Sequence, residues 1–514
     1  MQTRRKIATE TAVLAVVPCL LILAGIALRA MTGPFEADPD YAYLLNGLSL
    51  LTFHAPGHYD HPGTTLQIIA ALVIVPAWLI SAPLHGMTGV KNAVLSNPQY
   101  FLHVINLVLI AADAAAAFYM GRRIRAAANL GAALAAQISV LGSYSVMIGL
   151  NRVTPEPLLL ACGLLLAGYL APAALQPERF VQTRAYATRL GALLGFIIVT
   201  KITAIPLLAT VFFLRGRHFR LAAAKAGAIA MLVLTFPIAV HYPQMMKWFA
   251  RLFVYSGAYG GGHIGVPGAS NIWDNFLLLF DQTPEIFVIF VFYVLSFPLW
   301  RDTTRRVVAI CALILGVSIL MVLKEPVVRH FMPIVGSIAL ANAAILSQWS
   351  ARPPARIGGG ILALLLALGI GRNAFAASAW AQDAWHAQAD NQALLAKATT
   401  AGCQLAFYYE VNTQTYNLGF GDEYTSKRFA ADLDRLYPNT LFYDVFGHRF
   451  QTFTGPISSK DLNSRLAAGR CIYLVGSLPE RFSDFGIPQR ELALVMRTDH
   501  GQGGSIVAYA WRPQ

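Results

Sequence analysis

The chain has 514 residues, of which 56% are hydrophobic and 13% are charged. A soluble globular protein carries roughly 25% charged residues, so this composition indicates a membrane protein. The aliphatic content excludes a disordered chain, and 5 cysteines in 514 residues exclude a disulfide-rich secreted scaffold. The net charge of +13 would indicate nucleic-acid binding if it lay on a soluble fold, so its distribution along the chain decides its meaning.

The excess of positive charge lies entirely before Phe375. That part holds 27 Lys+Arg and 13 Asp+Glu, whereas the remainder holds 12 and 13. Because the excess belongs to the apolar part, it is expected in the loops between membrane spans, and nucleic-acid binding loses its main support. We predict two domains, a transmembrane domain over residues 1–374 and a soluble domain over residues 375–514.

Apolar runs of about 20 residues predict the membrane spans, and short loops rich in Lys and Arg stay in the cytoplasm. The first run, 11–28, follows Arg4, Arg5 and Lys6 and is interpreted as an uncleaved anchor. The further predicted spans are 100–120, 127–147, 156–175, 221–240, 284–299, 307–323, 331–349 and 357–370. Together with the segment 190–214, they predict a polytopic α-helical membrane protein with about 11 spans, a cytoplasmic N-terminus and a periplasmic C-terminal domain.

Two segments depart from simple spans. The segment 190–214 has basic loops at both ends, so we expect a hairpin of two short helices broken around Thr200–Lys201. The segment 64–81 is apolar enough to span, but spanning would place Arg122–Arg125 outside. We therefore predict an interfacial or re-entrant helix within a long first outer loop, about residues 31–99. A plain span is the alternative.

The C-terminal domain is predicted to be a small α/β fold. Short β-type runs lie at 405–411, 441–446, 471–475, 492–496 and 506–511, with helical stretches at 426–436 and 460–468. Cys403 and Cys471 each lie at the start of a strand on the oxidising side of the membrane. Whether they form a disulfide stays open, because two cysteines carry no spacing signature.

The few acidic residues of the membrane domain are distributed unevenly. On the predicted topology nine of the 13 fall on the outer side, and the positive-inside rule does not explain this bias, because acids contribute little to orientation. A cluster of carboxylates at the outer face indicates a polar site there. The nine are Glu36, Asp38, Asp40, Asp60, Glu156, Asp274, Asp281, Glu285 and Glu325.

The richest acidic segment is 38–43, DPDYAY, followed by DHP at 60–62. Asp38 and Asp40, two residues apart around a proline, can face one acceptor hydroxyl or one divalent ion, and a carboxylate within hydrogen-bond reach of a hydroxyl can act as general base. The alternative is a polar loop at the membrane surface with an Asp-Pro turn. The Gly-rich segment 260–265 does not follow a strand and is interpreted as an outer loop.

Two further outer junctions carry charge. In the segment 324–333, KEPVVRHFMP, two cations and a histidine beside the lipid headgroups could hold a phosphate, for which arginine offers a bidentate fork. Snorkelling to the interface is the alternative, and we prefer it for Lys324. In the segment 151–157, NRVTPEP, Glu156 could equally be a charge that satisfies a helix N-terminus.

These segments together resemble the GT-C superfamily of membrane glycosyltransferases, which includes the protein O-mannosyltransferases and the lipid A aminoarabinose transferases. The resemblance covers roughly residues 1–350 in architecture. The segment 38–43 is similar to the acidic motif of the first outer loop, and DHP at 60–62 resembles a step before a juxtamembrane helix. Glu156 stands in the place of a second outer-loop acid. The segment 195–201, ending in TK, and RHFMP at 329–333 resemble two further motifs of the superfamily.

The resemblance implies transfer of a sugar from a polyprenyl-phosphate carrier at the periplasmic face of the inner membrane, with inversion at the anomeric carbon. Asp38, with Asp40 as second choice, would act as the catalytic base. The implied phosphate-binding residues are Arg329, His61, Lys201 and His330, and those implied for acceptor or sugar are Asp60, Glu156, Tyr43 and Arg152. Metal dependence stays open. If Mg or Mn takes part, Asp38 and Asp40 would hold it.

The departures from the superfamily leave the subfamily open. The WWDYG signature of the oligosaccharyltransferases is absent from the sequence, and the common Asp-Glu pair is here Asp-Pro-Asp. The acceptor can therefore be a lipid, a glycan or a protein. The alternatives to a glycosyltransferase are a transporter or flippase of lipid-linked sugars, a polysaccharide polymerase or ligase, and a non-catalytic assembly protein.

Overall fold

A computed structural model describes most of the chain. The residues outside the description are 1, 33–34, 36, 61–62, 86–87, 258–259, 266, 350–352, 401–403, 408–413, 439, 445–448, 459, 462–463, 465–471, 477–491, 498–506 and 512–514. The side chains of some helix and strand residues, Asp38 among them, also lie outside it.

Helices dominate the described residues before 401. The helices are α1 Gln2–Met31, α2 Ala42–Leu51, α3 Thr64–His85, α4 Val90–Ser96, α5 Pro98–Ala127, α6 Leu130–Leu141, α7 Tyr144–Gly149, α8 Pro155–Leu175, α9 Arg184–Thr200, α10 Arg217–Thr235, α11 Tyr242–Val254, α12 Ala269–Gln282, α13 Pro284–Ser296, α14 Asp302–Lys324, α15 Val335–Ser347, α16 Pro353–Thr400, α17 Gln414–Glu423 and α18 Ala430–Leu436. A π-helical turn occupies Ala37–Tyr41, and 3₁₀ segments occupy Ile202–Phe213, Phe236–His241, Phe297–Leu299 and Val328–Ile334.

The strands all lie in the C-terminal part, where they form two sheets. They are β1 Gln404–Phe407, β2 Phe442–Asp444, β3 Arg449–Thr452, β4 Gly455–Pro456, β5 Ile472–Gly476, β6 Leu492–Arg497 and β7 Val507–Trp511. The larger sheet has the order β1-β5-β7-β6, with β1 parallel to β5 and the other pairs antiparallel. The smaller sheet is the antiparallel meander β2-β3-β4.

The protein is a multi-pass α-helical membrane protein. Within the described residues, 8 helices are long and apolar enough to cross a bilayer, or 9 if the pair Ala269–Gln282 and Pro284–Leu299, bent by 100°, counts as one broken span. Two shorter apolar helical segments are Leu130–Leu141 and Ile202–Phe213. The count of about 11 spans and the orientation of the termini stay predictions.

The predicted break at Thr200–Lys201 is confirmed. Helix α9 ends at Thr200, and Lys201 adopts an extended conformation (φ −163°, ψ 132°) before the 3₁₀ segment Ile202–Phe213. The Lys201 backbone N–H still donates to the Ile197 carbonyl at 3.2 Å, so the end of α9 stays satisfied. Because of the break, the Lys201 side chain does not follow the direction that it would take in a continuous helix.

The chain forms two compact units. The first comprises Met1–Leu28, Tyr59–Ile68 and Asn106–Ala377, and the second comprises Arg29–His58, Ile69–Ile105 and Ser378–Gln514. The change at Ala377/Ser378 lies close to the division predicted at residue 374. Most of the first outer loop, however, groups with the C-terminal domain, whereas Tyr59–Ile68 groups with the first unit. Composition does not reveal this relation.

Small residues and buried polar pairs hold the helices of the first unit together. Tyr293 of α13 donates through its hydroxyl to the Asn342 side chain of α15 at 2.7 Å, and Asn342 Nδ2 donates to Ser139 Oγ of α6 at 2.8 Å. All three side chains are buried. In an apolar environment such hydrogen bonds between helices add to the close packing that brings α15 against α6 and α8.

In the second unit, the C-terminal domain contacts both flanks of α3. Before α3, Asn417 of α17 donates to the Phe35 carbonyl at 2.8 Å. After α3, Lys91 pairs with Asp432 of α18 at 2.7 Å, and Tyr437 donates to the Leu95 carbonyl at 2.8 Å. A soluble domain lies on one side of a membrane, so contacts with both flanks favour the prediction that this helix does not cross it.

The predicted strands agree with the observed ones. Each of the five β-type runs contains or overlaps a strand, namely β1, β2, β5, β6 and β7. The predicted helix 426–436 begins later, as α18 at Ala430. Most of the predicted helix 460–468 lies outside the described residues, and so do Cys403 and Cys471. The helix α17 and the small sheet were not predicted.

Candidate active site

A buried carboxylate at the start of α8 is the centre of the candidate site. Pro155 occupies the first turn of this helix, and Thr154 precedes it in an extended conformation. Glu156 follows in the first turn, where the helix dipole favours a negative charge. Its side chain is only 1% exposed, so the carboxylate needs positively charged partners to remain ionised.

Lys201 supplies the nearest partner. Its Nζ atom lies 2.7 Å from Glu156 Oε1 and 3.0 Å from His330 Nε2, and the side chain is 4% exposed. Lys201 thus lies between the Glu156 carboxylate and the His330 ring and links the two. The break after α9 is what allows the lysine to reach both groups.

Arg329 and His330 come from the 3₁₀ segment Val328–Ile334. Arg329 Nε lies 3.6 Å from Glu156 Oε1, and His330 Nε2 lies 3.7 Å from the same oxygen. Glu325 reaches the edge of the group, with Oε1 at 4.0 Å from His330 Nε2. The Arg329 side chain is 31% exposed, whereas Glu156, Lys201 and His330 are buried. The arginine is therefore the group in this cluster that an incoming anion can reach.

The segment that follows Asp60 is attached to the end of α9. The Gly63 N–H donates to the Val199 carbonyl at 3.1 Å, and Thr65 Oγ1 donates to Thr200 Oγ1 at 2.8 Å. Through these bonds Gly63 and Thr65, which follow the DHP motif, lie against the last residues of α9, next to Lys201. The sequence offered no signal for this threonine pair beyond its position beside the motifs.

Asp60 itself is partly buried, and burial raises the pKa of its carboxyl above the usual range. The neighbouring Tyr59 ring stacks on the His241 ring, with 4.9 Å between centroids and 20° between planes. His241, which belongs to none of the predicted motifs, thus lies beside the DHP motif. His61 lies outside the described residues.

Of the acids in the first outer loop, Asp38 and Asp40 belong to the second unit, whereas Asp60 belongs to the first. Asp40 lies in the π-helical turn Ala37–Tyr41 and is fully buried. Tyr43 is also fully buried, and its ring lies 5.0 Å from the His58 ring. The side chain of Asp38, in the same turn, is outside the description. The assignment of the base to Asp38 or Asp40 therefore stays a prediction.

Arg152 is held through its backbone in the first unit. The Asn106 side chain of α5 donates to the Leu150 carbonyl at 2.9 Å and to the Arg152 carbonyl at 3.1 Å. These two bonds fix the loop that leads into α8 and thus the approach of the chain to Glu156. Among the residues that the structure describes, no group of three or more His, Cys, Asp or Glu side chains is arranged to hold a metal ion.

The cluster joins four of the predicted residues, Glu156, Lys201, Arg329 and His330. Its chemistry is that of an anion site with one partly exposed cation, Arg329, and one buried cation, Lys201, that share a single carboxylate. A guanidinium presents a planar fork that matches phosphate oxygens. The arrangement is suited to binding a phosphate group.

Comparisons with known proteins agree with this architecture. No protein-family model and no curated protein sequence matches the chain. Among solved structures, ArnT from Cupriavidus metallidurans in the apo state aligns with a TM-score of 0.50 and 13% identity over 98% of each chain. ArnT from the same organism bound to undecaprenyl phosphate aligns with a TM-score of 0.51 and 12% identity over 97% of this chain and 98% of that chain.

The fold is thus similar to that of the two ArnT structures, along nearly the whole length of both chains. At 12–13% identity the likeness establishes the fold, while the chemistry must be argued from the residues of this chain.

Proposed function

We propose that this protein is an inverting glycosyltransferase of the inner membrane. It moves a sugar from a polyprenyl-phosphate donor to a lipid, glycan or protein acceptor at the periplasmic face. The observation that carries the proposal is the buried Glu156–Lys201 pair with the partly exposed Arg329 beside it. The ArnT structure bound to undecaprenyl phosphate supports a polyprenyl-phosphate partner for the same fold.

The cluster accounts for departure of the carrier phosphate. When the glycosidic bond breaks, negative charge develops on the phosphate oxygens, and a fixed cation stabilises that charge most in a site from which water is excluded. Arg329 would contact the phosphate. Lys201 and Glu156 would set the position of the arginine and the local potential, because the single carboxylate is shared between both cations.

An apolar cavity beside Lys201 is suited to the polyprenyl chain. It has a volume of about 340 Å³, and its lining includes Val199 and Ile202, which flank the break that presents Lys201. Most of the other lining residues are apolar side chains of α10 and α11, and they include Met231, Leu232, Met245, Met246 and Phe249. A carrier whose chain lies there would place its phosphate at the end of α9.

The acceptor would be activated by the acidic turn of the first outer loop. In the proposed reaction Asp38, or Asp40 as second choice, takes the proton of the acceptor hydroxyl while the oxygen attacks the anomeric carbon. The bond from that carbon to the phosphate oxygen breaks, and the polyprenyl phosphate leaves with the electron pair. Asp60 would bind a hydroxyl of acceptor or sugar. If a divalent cation (Mg or Mn) takes part, Asp38 and Asp40 would hold it.

The proposal is tested with purified protein in nanodiscs and a panel of polyprenyl-phosphate sugars and acceptors. We expect release of polyprenyl phosphate by the wild type, a loss of about 10²–10³ in rate for Arg329→Gln, and a comparable loss for Asp38→Asn. The matched control is Arg179→Gln, which removes an exposed arginine from the loop after α8. Equal turnover of Arg329→Gln and Arg179→Gln would contradict the phosphate-binding role.

A further inference from the structure

The π-helical turn that carries the acidic pair needs support from outside itself. It spans only Ala37–Tyr41 and contains Pro39, which has no N–H to donate. π-helical turns are rare. A helical segment of this length is not stable alone, because the entropy lost in fixing its backbone outweighs the gain from the one or two hydrogen bonds that it forms. Its Asp40 and Tyr41 are nevertheless fully buried, so neighbouring elements hold the turn in place.

The main neighbour is α17 of the C-terminal domain, which packs against the turn and against α2. Its Asn417 is fully buried and donates through Nδ2 to the carbonyl of Phe35, two residues before the turn, at 2.8 Å. Phe35 is itself fully buried. The bond therefore ties the entry of the acidic turn to a helix nearly 400 residues later in the chain.

Gly421, one helical turn further along α17, allows the backbones to come close. A Cβ atom at this position would lie 2.9 Å from Tyr41 Cβ and 3.0 Å from the Tyr41 carbonyl carbon. These distances are shorter than ordinary van der Waals contact, and one of the partners is backbone. Any side chain at residue 421 would therefore move α17 away from the last residue of the acidic turn.

The opposite side of the turn is held as well. Gln99 donates to the Tyr41 hydroxyl at 2.7 Å and accepts from the Phe35 N–H at 3.3 Å. Beyond the turn, Asn46 of α2 accepts from the Gly57 N–H at 2.8 Å and donates to the Tyr424 carbonyl at 3.2 Å, just after α17. The turn is thus fixed between the start of α5 and the C-terminal domain.

We propose that α17 is a positioning element for the acidic turn, and that Asn417 and Gly421 hold the turn in the conformation that presents its general base to the acceptor hydroxyl. The proposal rests on the transferase function proposed above. On this proposal the C-terminal domain contributes to catalysis because its helix α17 fixes the conformation of residues 37–41. Asn417 and Gly421 are positioning residues, since the base acts on the acceptor and they act on the base.

The experiment uses the full chain and two readouts, steady-state kinetics and amide hydrogen exchange over residues 37–46. Asn417→Asp is isosteric but replaces the donating nitrogen by an oxygen, and Gly421→Ala introduces the Cβ described above. For both we expect kcat to fall at least about tenfold, donor KM to change less than about twofold, and exchange of these amides to accelerate about tenfold.

The matched control is Lys427→Met, which removes the contacts of Lys427 with Glu423 and Gln451 at 3.0 and 3.1 Å without touching the turn. It should leave both readouts unchanged. Wild-type exchange rates in Asn417→Asp and Gly421→Ala would overturn the proposal, and so would accelerated exchange with wild-type kcat. If exchange accelerates as expected but the wild type releases no polyprenyl phosphate, the transferase function fails and the contact between α17 and the turn stands.

Discussion

At the scale of single residues, the Glu156–Lys201 pair governs the candidate site. Both side chains are almost fully buried, and their atoms meet at 2.7 Å. Removal of Glu156 leaves the Lys201 charge buried without a carboxylate, and removal of Lys201 leaves Glu156 with only the more distant Arg329 at 3.6 Å. Breaking a buried pair typically costs about 3–5 kcal/mol, whereas an apolar replacement of both partners can be nearly neutral. The pair is therefore a test of whether the cluster is assembled as described.

We expect Glu156→Gln and Lys201→Met each to lower the free energy of unfolding by about 3 kcal/mol. The double variant should lose less than the sum of the two by about 1–3 kcal/mol, measured by denaturation in detergent. The exposed pair Arg215–Glu178, at 3.6 Å, supplies the control, and Glu178→Gln should leave stability unchanged. Strictly additive losses at residues 156 and 201 would contradict the pairing.

A second residue-scale prediction concerns pH. Burial raises the pKa of Asp422 at the end of α17 to about 6, against hydrogen bonds from Thr425 and the Phe429 N–H that lower it. An unfolded aspartate titrates near 3.9, so the folded state binds this proton more tightly. Protonation of Asp422 therefore raises the free energy of unfolding. This contribution is complete below about pH 4 and is lost as the pH rises through about 6, a change of about 2–3 kcal/mol.

Amide exchange over residues 414–436, corrected for intrinsic rates, should accordingly be slower at pH 5 than at pH 7.5. Asp422→Asn should remove this difference, because the amide keeps an acceptor oxygen but does not titrate. Asp434→Asn, in α18, should keep it. A pH dependence that persists unchanged in Asp422→Asn would assign the effect to another group.

At the scale of elements, the site depends on how closely α8 approaches the segment that carries Arg329 and His330. A Cβ atom on Gly163 of α8 would lie 2.4 Å from the Pro333 carbonyl oxygen, and one on Gly336 of α15 would lie 2.0 Å from the Gly163 carbonyl oxygen. Backbone atoms cannot yield as a side chain can. These two glycines therefore set the distance across which Glu156 and Arg329 interact.

Gly163→Ala should separate the two segments, lower the free energy of unfolding by about 1–3 kcal/mol, and reduce the rate of polyprenyl-phosphate release. Gly371→Ala in α16 is the matched control, since a Cβ there meets nothing within 4 Å. Unfolding temperature and initial rate are measured on the same preparations. A Gly163→Ala protein as stable and active as the control would mean that the two segments do not need this close approach.

Some elements could be predicted from the sequence and others could not, for physical reasons. The break at Thr200–Lys201 follows from basic loops at both ends of one apolar stretch, and the five strands follow from β-branched and aromatic runs. Helix α17 has the sequence QTYNLGFGDE, whose two glycines lower helix propensity. Packing against the acidic turn stabilises it, and a linear sequence does not reveal that packing.

The same distinction holds for the candidate site. Glu156, Lys201, Arg329 and His330 were all named from motif order, although Lys201 lies 45 residues from Glu156 and 129 from His330 along the chain. Their pairing was not predictable, because residue type does not indicate which cation faces the carboxylate and which faces solvent. The resemblance implied Arg329, His61, Lys201 and His330 as phosphate ligands, whereas burial now distinguishes the buried Lys201 from the partly exposed Arg329.

At the scale of the whole molecule, the charge distribution and the contacts of the C-terminal domain lead to one topology. The domain contacts residues on both sides of α3, through Phe35 before it and through Lys91 after it. Both flanks therefore share a membrane side with the domain. Arg122, Arg123 and Arg125 follow α5 as a basic cluster, and a non-spanning α3 is consistent with the prediction that these arginines lie in the cytoplasm.

Cysteine accessibility tests this topology. A maleimide that cannot cross membranes, applied to spheroplasts, should label Lys91→Cys and Ser458→Cys, whereas Arg179→Cys should react only after permeabilisation. The native cysteines are first replaced. Labelling of Lys91→Cys only after permeabilisation, like Arg179→Cys, would place the end of α3 in the cytoplasm and make this helix a full span.

The proposed transferase changes its lipid-linked substrate chemically, whereas a transporter or flippase would move the substrate unchanged. The most direct measurement uses sealed proteoliposomes that contain a polyprenyl-phosphate sugar and an acceptor, with both lipid leaflets sampled by mass spectrometry. We predict free polyprenyl phosphate and a glycosylated acceptor of inverted anomeric configuration, both lost in Arg329→Gln and retained in Arg179→Gln. Movement of the intact donor between leaflets with no new chemical species would contradict the proposed transferase function.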